Sequence, residues 1–130
     1  MAMHVLVDLD GTLSDSSVGI ARSLQHAFRA GGYEPPTVAA VRTVIGPPLE
    51  LGLPALGVRP DDLDRVIGAY REHYEAGGLF DNELYPGVVD MLDELAADGH
   101  VLSVATAKPE PTAARIIEHV GLTDRFRVIA

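Results

Sequence analysis

Val5-Leu6-Val7-Asp8-Leu9-Asp10-Gly11-Thr12-Leu13-Ser14-Asp15-Ser16 begins as an apolar run and ends as a cluster of carboxylates, hydroxyls and one glycine. Val5, Leu6 and Val7 are consecutive β-favouring apolar residues, the pattern of a parallel strand covered on both faces. Asp8 therefore falls at the carboxyl end of a buried strand. Ligands of open α/β sheets bind at those ends, so an acid there is a candidate site residue before any motif is considered. Asp8 and Asp10 are two apart and point to the same side of an extended chain. Carboxylates that close repel unless a cation or a shared proton relieves them. Magnesium suits the pair, because it takes oxygen ligands and often only one or two carboxylates beside water and phosphate oxygens. One Asp can then attack phosphorus while the other exchanges a proton with the leaving group and the incoming water. Gly11 lets the backbone turn sharply and brings N–H groups near an anion. For an arbitrary Asp-x-Asp-Gly, a pair of turn acids capping the helix that starts near Ser16 is the commoner arrangement.

The bulk composition narrows the field. The 130 residues suit one ordinary domain or two small ones, and 47 % hydrophobic against 22 % charged residues is ordinary for a soluble globular chain. Nineteen acids against ten bases give a net charge of -9, which disfavours nucleic acid and anionic membrane as partners, both being polyanions. The chain has no cysteine, which excludes disulfides, thiol catalysis and thiolate metal sites and fits a reducing cytoplasm. Met1-Ala2-Met3-His4 runs straight into the strand, with neither an export signal nor an apolar stretch of membrane-spanning length. The five histidines (His4, His26, His73, His100 and His119) are scattered, with no metal-type spacing among them.

Downstream of the acids the pattern turns helical. Ile20, Leu24, Ala27 and Phe28 recur at helical spacing over 16–30, and Gly31-Gly32 stops them. Thr37 caps a short helix to about 44, another runs over 49–56, and Pro60-Asp61-Asp62 opens a longer one to about 76. No strand pattern occurs between about 16 and 80. From Pro86-Gly87 a helix carries Val88, Leu92, Leu95 and Ala96 on one face and stops at Gly99. A second buried strand follows at 101–105, then a helix from Pro111 to Gly121, then a third strand at 126–129. The expected architecture is an α/β, Rossmann-like parallel sheet (residues 1–14 and 83–130) interrupted by an all-helical cap (residues 15–82).

Asp8-Leu9-Asp10-Gly11-Thr12-Leu13-Ser14-Asp15-Ser16 after a hydrophobic strand closely resembles the first motif of the haloacid dehalogenase superfamily, in its aspartyl-phosphate phosphatase branch. The helical insert, the Tyr85-Pro86-Gly87-Val88 restart and the strand end Val104-Ala105-Thr106-Ala107-Lys108-Pro109 resemble phosphoglycolate-phosphatase-like members with a helical cap. The resemblance implies that Asp8 is the nucleophile and Asp10 the general acid/base, with both at a magnesium site. It implies that Thr106 matches the second motif and binds the transferring phosphoryl group. Leu9, Gly11, Thr12 and Ala107 then surround the phosphate through local N–H groups, and Lys108, the sole lysine, is a candidate phosphate contact distinct from the family's third motif. In the cap, which the resemblance closes over the site, Arg22, Arg42 and Gly46 are candidate substrate contacts. The expected partner is a small phosphorylated metabolite. Asp10 argues against dehalogenation, since that branch lacks an acid at this position.

The chain departs from the family pattern at its end. The third-motif lysine and the acidic pair that completes the magnesium site are not among these residues, so Asp8 and the Asp10 carbonyl supply two protein ligands. The fourth strand, which in this family lies against the first, is also missing. The expectation is an N-terminal piece of a protein about 80 to 100 residues longer on the usual α/β domain scale. The alternative is a non-catalytic phosphate-binding or regulatory module of the same fold. Oligomeric state and the particular ester are left open.

Overall fold

In the computed structural model, which describes residues 1–130, the element order is β1 (His4–Val7), β2 (Ser14–Asp15), α1 (Ser17–Ala30), α2 (Val38–Arg42), α3 (Leu49–Ala55), a 3-10 turn (Pro60–Asp62) and α4 (Leu63–Ala76). A 3-10 turn (Gly78–Phe80), β3 (Glu83–Leu84), α5 (Val88–Ala97), β4 (Val101–Val104), α6 (Glu110–His119) and a last 3-10 turn (Thr123–Arg125) follow. The chain divides into two units, residues 1–16 with 82–130 and residues 17–81. The helical segment expected at 15–82 is shorter, 17–81, with Asp15 kept in the sheet unit by its pairing with Glu83. No helix is long and apolar enough to cross a membrane.

In the sheet unit β1 and β4 run parallel in the register His4↔Val101 to Val7↔Val104. The third strand expected at 126–129 is an extended segment one residue further on. It lies parallel on the other side of β4 through Arg127 N–H to Leu102 O (2.8 Å), Val104 N–H to Val128 O (2.9 Å) and Ala130 N–H to Val104 O (3.0 Å). Its ladder is short, with one regular bridge, Val104↔Ile129. The apolar faces of α5 and α6 bury Val88 and Leu92, and Ala113, Ile116 and Ile117. Each large side chain so covered contributes about 1.5–3 kcal/mol relative to exposure. Gly99 and Gly121 follow the two helices where the sequence places them.

One expectation fails in this unit. The apolar Val5-Leu6-Val7 run predicts a strand covered on both faces, yet Leu6 is 66 % exposed while Val7 is 8 %. Successive strand residues face opposite sides, and the face carrying His4 and Leu6 is the exposed one. The antiparallel β2–β3 ribbon is the converse case, present without a sequence signal. A two-residue strand is too short to show alternation. Its cross-strand tie is buried, with Ser14 Oγ donating to Asn82 Oδ1 at 3.0 Å.

The helical unit contains no strand, as the absence of alternation predicted. Its centre is α1 against α4, burying Ile20, Leu24, Ala27 and Phe28 on one helix and Val66, Ile67, Tyr70 and Tyr74 on the other. Gly19 is required by a close approach: a Cβ there would lie 2.2 Å from the Gly78 carbonyl oxygen. Thr37 caps α2 as expected, its hydroxyl accepting from Ala40 N–H at 3.1 Å.

Tyr33 locks the loop after α1 to the start of α4. Its hydroxyl donates to Asp62 Oδ2 at 2.5 Å and accepts from Arg59 N–H at 3.1 Å, while Arg65 reaches Asp62 Oδ1 at 2.9 Å. The Tyr33 hydrogen bond, then that from Arg65, holds the Asp62 carboxyl below its ordinary value of 3.8. A carboxyl lowered by folding contributes stability that is fully present above pH 3.8 and is lost as pH falls through the folded value. Tyr33→Phe is therefore expected to lower the melting temperature at neutral pH. The difference from wild type should shrink below pH 3.8, as followed by circular dichroism. A pH-independent difference would assign the loss to packing instead.

Candidate active site

The loop leaving β1 is wound around one residue. Leu9 carbonyl accepts the N–H groups of Thr12 (3.3 Å), Leu13 (3.0 Å) and Ser14 (3.2 Å), and Gly11 N–H donates to Ser14 O at 2.9 Å. Gly11 has φ +78°, a left-handed conformation that places a glycine at this turn. The Leu9 side chain is fully buried, so the loop is anchored in the core between Asp8, which is exposed, and Asp10, which is half-buried. Asp8 Oδ1 accepts the Leu9 N–H at 2.8 Å.

The parallel register brings the end of β4 beside this loop. Ala105 N–H donates to Val7 O at 2.9 Å, so the segment from Thr106 to Lys108 leaves the sheet next to Asp8. Lys108 N–H donates to Thr106 Oγ1 at 3.1 Å, which closes the turn and turns the chain back. The result is an ion pair between Lys108 Nζ and Asp10 Oδ2 at 3.3 Å, with side-chain exposures of 10 % and 21 %. The other oxygen, Asp10 Oδ1, is buried and has no hydrogen-bond partner.

Thus Asp8, Asp10, Thr106 and Lys108 come together at the carboxyl ends of two neighbouring parallel strands. Ala107 is exposed on the same turn, and Thr12 is exposed on the facing loop. The N–H groups of Leu9 and Gly11, expected to face a phosphate, donate here to Asp8 Oδ1 and Ser14 O. Arg22, Arg42 and Gly46 belong to the helical unit. Arg22 is bound to Asp81 at 2.9 Å, Arg42 is exposed at the end of α2, and Gly46 is exposed at φ +113°. The Lys108–Asp10 pair has no signature in the sequence, since a lysine four residues past the end of β4 carries no spacing signal toward an acid in the loop after β1. Two of the histidines read as scattered also meet: His26 and His73 stack with centroids 4.5 Å apart, and Ser23 Oγ lies 2.8 Å from His73 Nδ1.

The donor set can be tested against magnesium. No group of three or more His, Asp or Glu residues is placed to hold a metal. Asp8 Oδ2 and the Asp10 carbonyl accept no hydrogen bond in the chain, leaving two hard oxygens at the strand tip. Two protein oxygens fit magnesium as part of its octahedral shell, the rest being water and phosphate oxygens. Asp10 Oδ2 is paired with Lys108.

A parallel sheet with two aspartates past its first strand, and a hydroxyl and a lysine past the neighbouring strand, defines an α/β protein whose site lies at the strand ends. The chain belongs to the haloacid dehalogenase-like hydrolase family, whose model matches residues 5–130. It is 41 % identical over 126 residues to the tyrosine-protein kinase PtkA of Mycobacterium tuberculosis, covering 97 % of this chain and 43 % of that protein. It is 35 % identical over 139 residues to the phosphoglycolate phosphatase of Rhodobacter capsulatus, covering 99 % and 61 %. The haloacid dehalogenase-like protein SP0104 of Streptococcus pneumoniae superposes with a TM-score of 0.90 at 32 % identity, covering 98 % of this chain and 59 % of that one. The chain thus spans about half the length of the curated relatives it matches.

Proposed function

We propose that the protein is a magnesium-dependent, cytoplasmic phosphomonoesterase that works through an aspartyl-phosphate and acts on a small phosphorylated metabolite of the phosphoglycolate type. The observation that carries this reading is the pairing of Asp10 with Lys108 next to the exposed Asp8 at the tip of β1. Asp8 is exposed at the tip of β1, as a nucleophile requires. Asp10 lies two residues on, in the position to exchange a proton with the leaving group and the incoming water. The Thr106 hydroxyl donates to a phosphoryl oxygen while accepting from Lys108 N–H, and the N–H of the adjacent Ala107 adds a second donor. Asp8 and the Asp10 carbonyl would hold magnesium, which would supply positive charge beside a phosphoryl group.

The test is turnover of 4-nitrophenyl phosphate and phosphoglycolate by the full-length protein with magnesium. Turnover should vanish with EDTA and return with added magnesium. Activity indifferent to EDTA would remove the metal, and absence of turnover of any ester would overturn the reading. The 41 % identity to a protein named as a tyrosine kinase supports a second reading, in which a tyrosyl hydroxyl replaces water as phosphoryl acceptor. Phosphotyrosine formed on a tyrosine-containing polypeptide with ATP, in place of ester hydrolysis, would select it.

A further inference from the structure

The helical unit holds a polar cluster that the chemistry at the strand tips does not use. His26 on α1 and His73 on α4 face each other, with ring centroids 4.5 Å apart and planes 26° from parallel. His26 is exposed and hydrogen-bonds to nothing in the chain. His73 is half-buried, with Nδ1 2.8 Å from Ser23 Oγ. Ser23 is fully buried and held from behind, since a Cβ on Gly78 would clash with its Oγ. With Nδ1–H donating to this fixed hydroxyl, the lone pair of His73 is on Nε2, the other ring nitrogen. A histidine kept for packing alone needs no such orientation. An imidazole held by a hydrogen bond at one nitrogen, with the other left to ligate, is how metal-binding histidines are set.

We propose that His26 and His73 form an exchangeable site for a divalent transition metal ion that clips α1 to α4. Imidazole nitrogen suits zinc, copper and nickel, whereas magnesium takes oxygens, so this pair and the strand-tip oxygens select different ions. Zinc–nitrogen bonds of about 2.0–2.1 Å put two ligating nitrogens no more than about 4 Å apart. Rings 4.5 Å apart reach that separation when the exposed His26 ring turns about its Cβ–Cγ bond and brings a nitrogen toward His73 Nε2. The stack is given up and two coordinate bonds replace it. Water completes the coordination, because no third His, Asp or Glu is placed to join the pair. With two protein ligands the ion exchanges, so it tightens the helical unit when bound and the unit keeps its fold without it. The net charge of -9 favours accumulation of cations near the chain. The inference does not rest on the phosphatase reading, since both histidines belong to the helical unit.

The test is calorimetric titration of the full-length protein with zinc chloride, with magnesium in excess to occupy the strand-tip oxygens. One zinc ion per chain should depend on this pair, and zinc should raise the melting temperature by on the order of 5 °C. His26→Ala and His73→Ala should each weaken that binding by about tenfold or more and cancel the thermal shift. His119→Ala and Asp8→Asn should change neither, because both positions lie in the sheet unit. His26 is exposed, so its variant should fold, and it carries the test if His73→Ala does not. Absence of zinc binding by the wild type overturns the proposal. So does an affinity unchanged in either folded histidine variant, or binding lost with Asp8→Asn, which would move the ion to the strand tips.

Discussion

Asp8→Asn should abolish phosphate ester turnover, lowering kcat/KM by about 10⁴-fold or more, the scale seen when a covalent nucleophile is removed. The substitution exchanges one oxygen for an amide nitrogen that cannot form the acyl-phosphate bond. Asp8 is exposed, and its one hydrogen bond in the chain, from Leu9 N–H to Oδ1 at 2.8 Å, can be kept by the amide oxygen. The fold should be unaffected, so an unchanged melting temperature is part of the expected result. Steady-state turnover with 4-nitrophenyl phosphate, alongside thermal unfolding of the same preparation, checks both halves. Wild-type-like turnover would exclude an aspartyl-phosphate at this position.

Leu9→Ala should have the largest effect on stability. Leu9 lies between the two acids, yet its side chain is fully buried and its carbonyl gathers three N–H groups of the following turn. Truncating a buried leucine removes its transfer energy and leaves a cavity, a loss of about 2–5 kcal/mol. For a domain of this size the melting temperature should fall on the order of 10 °C. Activity should fall as well, because the loop carrying Asp8 and Asp10 loses its anchor, although no reacting group has been altered. Leu51→Ala is the control: that side chain is 69 % exposed, and its loss should change stability by less than about 0.5 kcal/mol. Equal effects at the two positions, measured by denaturant unfolding, would contradict the burial of Leu9.

These two expectations show how differently the site and its support are written in the sequence. Asp8, Asp10 and Gly11 lie within four consecutive residues, so their proximity follows from chain connectivity and the exposure of Asp8 from the end of an apolar strand. The helices were legible for a similar reason. Ile20, Leu24, Ala27 and Phe28 repeat at the helical period, and all four are buried on one face of α1. Thr106 became readable once two strands were expected to lie parallel, because the tips of parallel strands coincide.

Leu6 marks the limit of that reading. Three apolar residues in a row announce a strand covered on both sides, and nothing local reveals that one face of β1 is left exposed. The β2–β3 ribbon was hidden for the opposite reason, since its pairing joins residues 14–15 to 83–84 across the whole helical unit without a periodic signal. Tyr33, Arg59, Asp62 and Arg65 read as turn and helix-start residues, and their cluster exists because the loop after α1 comes back to the start of α4.

The sequence by itself determined the acids, the order of strands and helices, and the helical character of the insert, because each is encoded in neighbouring residues or in a short period. Tertiary structure alone decided which oxygen of Asp10 is held and which is left bare. That choice comes from Lys108, some hundred residues away along the chain. Charge pairing depends on distance in space, and only the parallel register of β1 on β4 makes that distance 3.3 Å.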